Sequence, residues 1–350
     1  MINILLVSNM YPSNESPFLG TFVKNSEKII ASENNINIEK VVIDRKGKNA
    51  VDKIYNYIRL YILILKKLFC FKYDYIYAHY ASHVALPIIF YRFFNRKIKI
   101  IVHVHGGDVK KLKGFSTAFF KLKSFLSGML MSRAFRIISP SCAYKIFIYK
   151  NYNVISKDAI VVYPSGGIEP NVFSFDNTKR NIKTIGYAGR LIKSKNVDLI
   201  IKSLLQLPDY SLEIVGDGQE LTALTNLVKE LNLEDVVRFL PAKSQQELAA
   251  WYQTIDCLVY PSESESLGLV PIEAMSCGVF CVLSDIPAFR ELLDAQLNIE
   301  LMRSLSPISI SDSVKQLETW SEDLRFQNSI RVQELYSSEK VKKELLSVFQ

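Results

Sequence analysis

The residues with the most pointed chemistry are two glutamates eight positions apart in Glu265-Ser-Leu-Gly-Leu-Val-Pro-Ile-Glu273. Pro271 suits the first position of a helix, and Gly278 suits its end. The amides of Gly268, Leu269 and Val270 would then lie at a helix N-terminus, where backbone N–H groups attract an anion. Glu273, one turn in, would stay ionised beside the positive helix end and accept hydrogen bonds from a vicinal diol such as ribose. Glu265, in the loop before the helix, would sit beside whatever occupies the anion site. A structural role for Glu273 is backbone capping from the third helical position. Val270, then at the capping position, has no side chain to complete a reciprocal box.

A second group is Gly189-Arg190-Leu-Ile-Lys-Ser-Lys195, which follows the strand-like IKTIGYA. Two cations on a loop leaving a first strand point into the crevice where a diphosphate would lie. A departing diphosphate needs its developing charge neutralised, by Mg²⁺ or by fixed Arg and Lys. No Asp-x-Asp pair occurs in the chain, so Arg190 and Lys195 are expected to act in place of a metal, with Lys193 solvated. His103-Val-His105-Gly-Gly-Asp108 ends another strand. His103 and His105 share one side of it, but only His105 reaches the carboxyl edge, and His103 is read as a core residue. A zinc site from His79, His83, His103 and His105 is not expected, because no suitably spaced cysteine joins them. Gly216-Asp-Gly218 resembles half of a dinucleotide fingerprint, with Leu221 where a third glycine should be. Gly20, before TFVKNSEKII, could bring backbone amides to a substrate.

These loops need strands and helices behind them. The N-terminal half alternates strands at 2–8, 38–43, 74–79, 98–104, 135–139 and 159–163 with helices near 18–33, 52–70, 82–94, 114–132 and 141–151. A second series begins after residue 180, with strands near 183–188, 211–215, 236–240, 257–260 and 279–283. Helices near 196–206, 218–232, 245–253, 270–277 and 287–295 separate them, and only helix is expected after about 308. Runs of β-branched residues between helices imply parallel sheets covered on both faces. The Gly-, Pro- and Asn-rich 165–181 is the natural linker. The expectation is an α/β chain of two doubly wound, Rossmann-like domains, residues 1–170 and 171–325, with ligand at the carboxyl ends of both sheets. At 350 residues the length suits two cores.

Charge is divided between the halves. Residues 1–175 carry 25 Lys and Arg against 10 Asp and Glu, whereas the remainder carries 18 against 25, leaving +8 overall. The basic residues of 51–72 and 110–133 are interleaved with apolar and aromatic ones. That pattern fits amphipathic helices on an anionic membrane surface, and equally helices packed on a sheet with solvated lysines. No recognised nucleic-acid motif accompanies the charge, so nucleic acid is not an expected partner. No run is apolar and long enough to span a bilayer, and the N-terminus reads as a strand and not as a signal peptide. Five scattered cysteines suit a reduced, cytoplasmic setting.

In this order the motifs resemble glycosyltransferase family 4, whose members have the GT-B fold of two Rossmann-like domains facing a central cleft. The resemblance rests on Glu265 and Glu273, Arg190 and Lys195, His105 and Asp108, Val215–Gly218, and YPSGGIEPNVF at 163–173. It implies retaining transfer of a hexose-type sugar from a UDP- or GDP-sugar, with no metal or other cofactor. Glu273 would hold the ribose hydroxyls and Glu265 the donor sugar. Arg190, Lys195 and the amides at Gly268–Val270 would bind the diphosphate, Gly20 would lie near the donor phosphates and the acceptor, and His105 near the transferred sugar. The acceptor would be a glycan or lipid-diphosphate-linked saccharide of a bacterial surface polysaccharide, on a cytoplasmic protein or one peripheral to the inner face of the plasma membrane. A final helix over 326–350, crossing back to the N-terminal domain, is expected by the same analogy. Competing functions are a nucleotide-sugar epimerase or phosphorylase on this fold, or a non-catalytic glycan-binding partner. Three positions depart from the pattern: Thr21 and Ala288 where glycines are common, and the region after Leu297, which lacks the usual glycine-bearing loop.

Overall fold

A computed structural model of the chain describes residues 1–13, 15–16, 19–45, 47–110, 116–175 and 183–349. They form two compact units, Met1–Gly166 with Val341–Gln350, and Gly167–Lys340.

The first unit contains β1 (Ile2–Ser8), α1 (Thr21–Ala31), β2 (Ile36–Val42), α2 (Ala50–Cys70), β3 (Tyr75–His79) and α3 (Ala81–Phe94). There follow β4 (Lys99–His103), α4 (Thr117–Met131), β5 (Arg136–Ser139), α5 (Cys142–Asn151) and β6 (Ile160–Val162). The sheet order is β2-β1-β3-β4-β5-β6, parallel throughout. Strand alternation splits the core in two. Leu5, Val7, Ile76, Ile100 and Val102 face α2 to α5, while Ile4, Leu6, Tyr77 and Ile101 face α1 and the chain's C-terminal residues. The start expected for α4, at 114, lies outside the described residues.

The second unit contains β7 (Thr184–Ala188), α6 (Val197–Ser203), β8 (Ser211–Val215), α7 (Leu221–Glu230), β9 (Val237–Leu240), α8 (Gln245–Tyr252) and β10 (Cys257–Tyr260). It continues with α9 (Leu269–Ser276), β11 (Phe280–Ser284), α10 (Pro287–Asp294), β12 (Glu300–Met302), α11 (Pro307–Leu317) and α12 (Asp323–Tyr336). Its parallel sheet runs β12-β11-β10-β7-β8-β9. The strand β12 was not expected from the sequence: three residues are too few to show periodicity, and its pairing with Val282–Ser284 creates it.

The helix expected over 326–350 is two helices, because Ser337 leaves α-helical geometry (ψ 145°) and α13 (Ser338–Ser347) begins beyond it. At that break the chain is tied to the segment after Gly167. The Ile168 amide donates to the Tyr336 carbonyl, and the Ser338 amide to the Ile168 carbonyl, each at 2.8 Å. From Val341 onward α13 belongs to the first unit. Val341, Leu345, Val348 and Phe349 are buried with Tyr75 and Tyr77, worth roughly 2 kcal/mol per side chain. The Tyr75 hydroxyl donates to the Phe349 carbonyl at 2.9 Å, and Lys342 pairs with Glu33 at 3.0 Å. The linker expected at 165–181 has its second half, from 176, outside the described residues.

Candidate functional site

In the second unit the strand order reverses between β7 and β10, which are paired neighbours. The loops leaving their carboxyl ends therefore lie side by side, the usual place for a ligand in an open α/β sheet. These loops hold Arg190, Lys195 and Glu265. They are sewn together by the Glu263 amide donating to the Ser194 carbonyl (3.0 Å) and the Asn196 side-chain amide donating to the Pro261 carbonyl (2.9 Å).

Lys195 is only 8% exposed. Its ammonium donates to Glu265 Oε1 and to the Tyr260 hydroxyl (3.3 Å), and it lies 5.0 Å from the centre of the Tyr260 ring. The Ser262 hydroxyl donates to the same Glu265 oxygen at 2.8 Å. Lys195 and Glu265, given separate tasks by the sequence reading, thus form one charged cluster. Arg190 differs: it is exposed, and its guanidinium makes no ion pair among the described residues.

Gly216 and Gly218 find their reason here. The Gly189 amide donates to the Val215 carbonyl (3.0 Å) and the Leu191 amide to the Asp217 carbonyl (2.9 Å), so the Arg190 loop packs backbone to backbone on the loop after β8. A Cβ on Gly216 would run into the Gly189 carbonyl oxygen, and one on Gly218 into that of Leu191. The fragment that resembles a fingerprint shapes the neighbouring loop.

The helix after Glu265 begins earlier than expected. Gly268 is its N-cap (φ 91°), Leu269 its first residue and Pro271 its third, which places Glu273 fifth and not third. Proline fits any of the first turn's positions, since its missing N–H has no intrahelical partner there. Gly268 is required twice over: a side chain would be strained at that φ, and its Cβ would come 2.6 Å from the Phe289 ring. Gly268 has no side chain to cap this end, which places the first-turn amides of Leu269 and Val270 at a helix N-terminus that favours an anion. Gly278, at φ 75°, follows the other end.

Glu273 corrects a second expectation. It is 8% exposed, Tyr252 donates to it at 3.3 Å, and burial pushes its carboxyl up to about 8 despite that hydrogen bond. At neutral pH burial therefore favours the protonated acid over the carboxylate read from the sequence. A neutral acid still suits a diol, since it donates one hydrogen bond and accepts another.

In the first unit Gly20 caps α1 at φ 72°, and a Cβ there would sit 2.9 Å from the Met10 carbonyl oxygen. His105 lies just past β4. It packs at a tilt against Phe22 (4.3 Å between ring centres) and stacks on His103 (4.2 Å), and its Nε2 is 2.9 Å from His79 Nδ1. Asp108 clamps the loop: one carboxylate oxygen accepts the His105 and Gly106 amides (3.1 and 3.0 Å), and the other accepts the Ala81 amide at the start of α3 (3.2 Å). Burial raises the Asp108 carboxyl from its ordinary value and lowers the imidazoles of His79, His103 and His105, with His103 at about 3.

Three of the four histidines thus gather, each with a ring nitrogen within 4.8 Å of the others, while His83 packs on Tyr57. The Nε2 atoms of His79 and His103 have no hydrogen-bond partner. The rings are stacked, at 9° for His79 with His105 and 29° for His103 with His105. The His79 and His105 rings meet through a hydrogen bond between Nδ1 and Nε2 at 2.9 Å. Sequence reasoning missed Tyr252, Tyr260, Ser262 and Phe22, whose hydroxyl or ring contacts exist only once the loops meet.

Residues 171–331 match the family model described as "Glycosyl transferases group 1". The O-antigen chain mannosyltransferase RfbU of Salmonella typhimurium is 35% identical over 171 residues, 48% of this chain and 47% of that protein. Across the first curated relatives the match spans 23–58% of their length. The whole chain superposes on sucrose-phosphate synthase from Thermosynechococcus elongatus with a TM-score of 0.82 at 16% identity, covering 100% and 98% of the two chains. It also superposes on Anabaena Alr3699/HepE in complex with UDP and glucose, with a TM-score of 0.76 at 16% identity and 99% coverage of both. The chain therefore has the GT-B fold, and residues 171–331 of its second unit match the glycosyltransferase group 1 model.

Proposed function

We propose that this chain is a retaining glycosyltransferase that moves a hexose-type sugar from a UDP- or GDP-sugar to a glycan or lipid-diphosphate-linked acceptor of bacterial surface polysaccharide synthesis. O-antigen, capsule and lipopolysaccharide core are the acceptor classes, and fixed cations take the place of a metal at the diphosphate. The observation that carries this reading is the cluster at the β7–β10 edge. There Lys195 is oriented by Glu265 on loops that also carry an exposed Arg190, without an ion pair among the described residues, and lead to a helix N-terminus capped by Gly268.

Glu273 would take the ribose diol, and Arg190 with the amides at Gly268, Leu269 and Val270 the diphosphate. Glu265 would contact the donor sugar. His105 would line the path of the transferred sugar, and Gly20 would offer α1 amides to phosphate. As the anomeric carbon leaves the diphosphate, the acceptor oxygen bonds to the same face and the departing oxygen takes the acceptor proton. The names of the relatives support the donor and acceptor classes: one is an O-antigen mannosyltransferase and one was solved with UDP and glucose. We place the protein in the cytoplasm, at the inner face of the plasma membrane.

The test is release of nucleotide from UDP- and GDP-sugars by the purified chain in EDTA, with and without lipid-diphosphate saccharide acceptors. Acceptor-dependent release that is lost in Glu265→Ala supports the reading. Acceptor-independent epimerisation, or release that needs inorganic phosphate, contradicts it.

A further inference from the structure

Among the described residues, an apolar surface in the first unit has no partner on its outer side. Along α2 the buried stripe is Leu60, Ile64 and Leu68, which pack on the sheet. The opposite stripe, Ile58, Ile62 and Phe69, is also apolar, and each of its residues is more than half exposed. On α3, Val84, Ala85, Ile88 and Ile89 face the core, while Phe90, Phe93 and Phe94 face outward at 50–70% exposure. A helix apolar all round expects cover on both sides, and α3 is covered on one. The outer residues of the two helices adjoin: the Phe69 ring is 5.4 Å from that of Phe94, which is 5.3 Å from that of Phe90.

Charge identifies what the surface fits. Between Lys53 and Lys157 there are 19 Lys and Arg and only two acids, Asp74 and Asp108. Asp108 is fully buried, and Asp74 accepts a hydrogen bond from the Asn3 amide. Arg59, Lys66 and Lys72 with Arg96 and Lys97 are exposed along and beyond these two helices. A second copy of this chain would bring like charge against like. A surface of phenylalanine and isoleucine rimmed by cations matches an interface in which hydrocarbon lies beneath anionic headgroups. Among the described residues no helix is long and apolar enough to cross a membrane, so contact would be from the side.

We propose that the outer face of α2 and α3 seats the protein on an anionic phospholipid bilayer. Phe69, Phe90, Phe93 and Phe94 enter the headgroup boundary, while Arg59, Lys66 and Arg96 meet lipid phosphates. The proposal deepens the reading of a lipid-linked acceptor by naming the face that meets the membrane.

The experiment is flotation of the full chain with vesicles of phosphatidylcholine alone and of phosphatidylcholine mixed with phosphatidylglycerol, over a salt series. Variants Phe93→Ser with Phe94→Ser, and Lys66→Glu with Arg96→Glu, are compared with wild type for melting temperature, nucleotide titration and light scattering. Binding only to the anionic vesicles, weakened by salt, is expected. The phenylalanine variant should lose it, and the charge variant should fall about fivefold or more for each cation, while melting and nucleotide binding stay unchanged. Absence of flotation at low salt, or equal flotation of wild type and variants, overturns the proposal. So does a wild-type dimer that the phenylalanine variant abolishes without any lipid binding. Loss of nucleotide binding by wild type would sink the functional reading and leave this one standing.

Discussion

The ammonium of Lys195 is held by the carboxylate of Glu265, 70 positions away in sequence, with the Tyr260 hydroxyl as its second partner. Both side chains are largely buried, so each is the principal charge compensation of the other in a site of reduced dielectric. On the proposed function, an incoming diphosphate would meet a cation already fixed in place. Charge fixed in this way costs no reorganisation when the leaving group develops its own.

Removing either partner alone should cost roughly 3 kcal/mol of stability, because the other is left buried and charged. Lys195→Met with Glu265→Leu should cost much less than the sum of the single changes. Chemical denaturation of the four proteins measures the coupling, and additive losses would show that the two charges do not compensate one another.

Glu273 links the site to pH. Its folded carboxyl lies at about 8, above the ordinary carboxylate range, because burial disfavours the charge. The folded state therefore holds a proton that the unfolded state has released across roughly pH 4.5 to 8. Its stabilising effect is complete below the unfolded value and is lost as pH rises through the folded one. Wild type should lose about 1 kcal/mol per pH unit in that window relative to Glu273→Gln. Parallel stability curves for the two proteins would contradict the burial argument.

Gly216→Ala should disturb the Arg190 loop at a distance from any ligand atom. The new methyl meets the Gly189 carbonyl oxygen at a residue whose φ is already 143°, so loop displacement and backbone strain of about 1–3 kcal/mol are expected. Affinity for a nucleoside diphosphate should fall more than affinity for the nucleoside, since the loop carries Arg190. Equal affinities in wild type and variant would show that the loop tolerates the methyl.

Asp108→Ala should leave the buried amides of Ala81, Gly106 and His105 without their acceptor. A stability loss of roughly 3 kcal/mol is expected, at about 1 kcal/mol or more for each orphaned donor. Asp108→Asn, which keeps one acceptor oxygen, should recover part of it. Thermal denaturation of the three proteins decides, and an unchanged midpoint for the alanine variant would show that water replaces the clamp.

Much of the architecture was legible because its signals are local. The apolar runs Ile4–Val7 and Ile100–Val102 mark buried parallel strands, and Gly278 marks the end of α9. What failed to show depends on contacts between distant segments. The strand β12 exists through pairing with β11, and the break at Ser337 through the hydrogen bonds that tie its neighbours to Ile168. At the candidate site the same division holds. Residue types and spacing singled out Lys195, Glu265 and Glu273, yet the ion pair joining the first two needs the β7–β10 pairing. The neutral state of Glu273 follows from its burial, against the pull of the Tyr252 hydrogen bond, and no count of positions along α9 reveals it.

Calorimetric titration of UDP, GDP and ADP into wild type and Glu273→Ala, in EDTA, decides whether Glu273 holds the ribose of a bound nucleotide. The account expects one of the uridine or guanosine diphosphates to bind wild type and to bind the variant at least about tenfold more weakly, a loss of some 1.4 kcal/mol, with folding intact. No binding of any nucleotide to folded wild type, or equal binding by the variant, would contradict it.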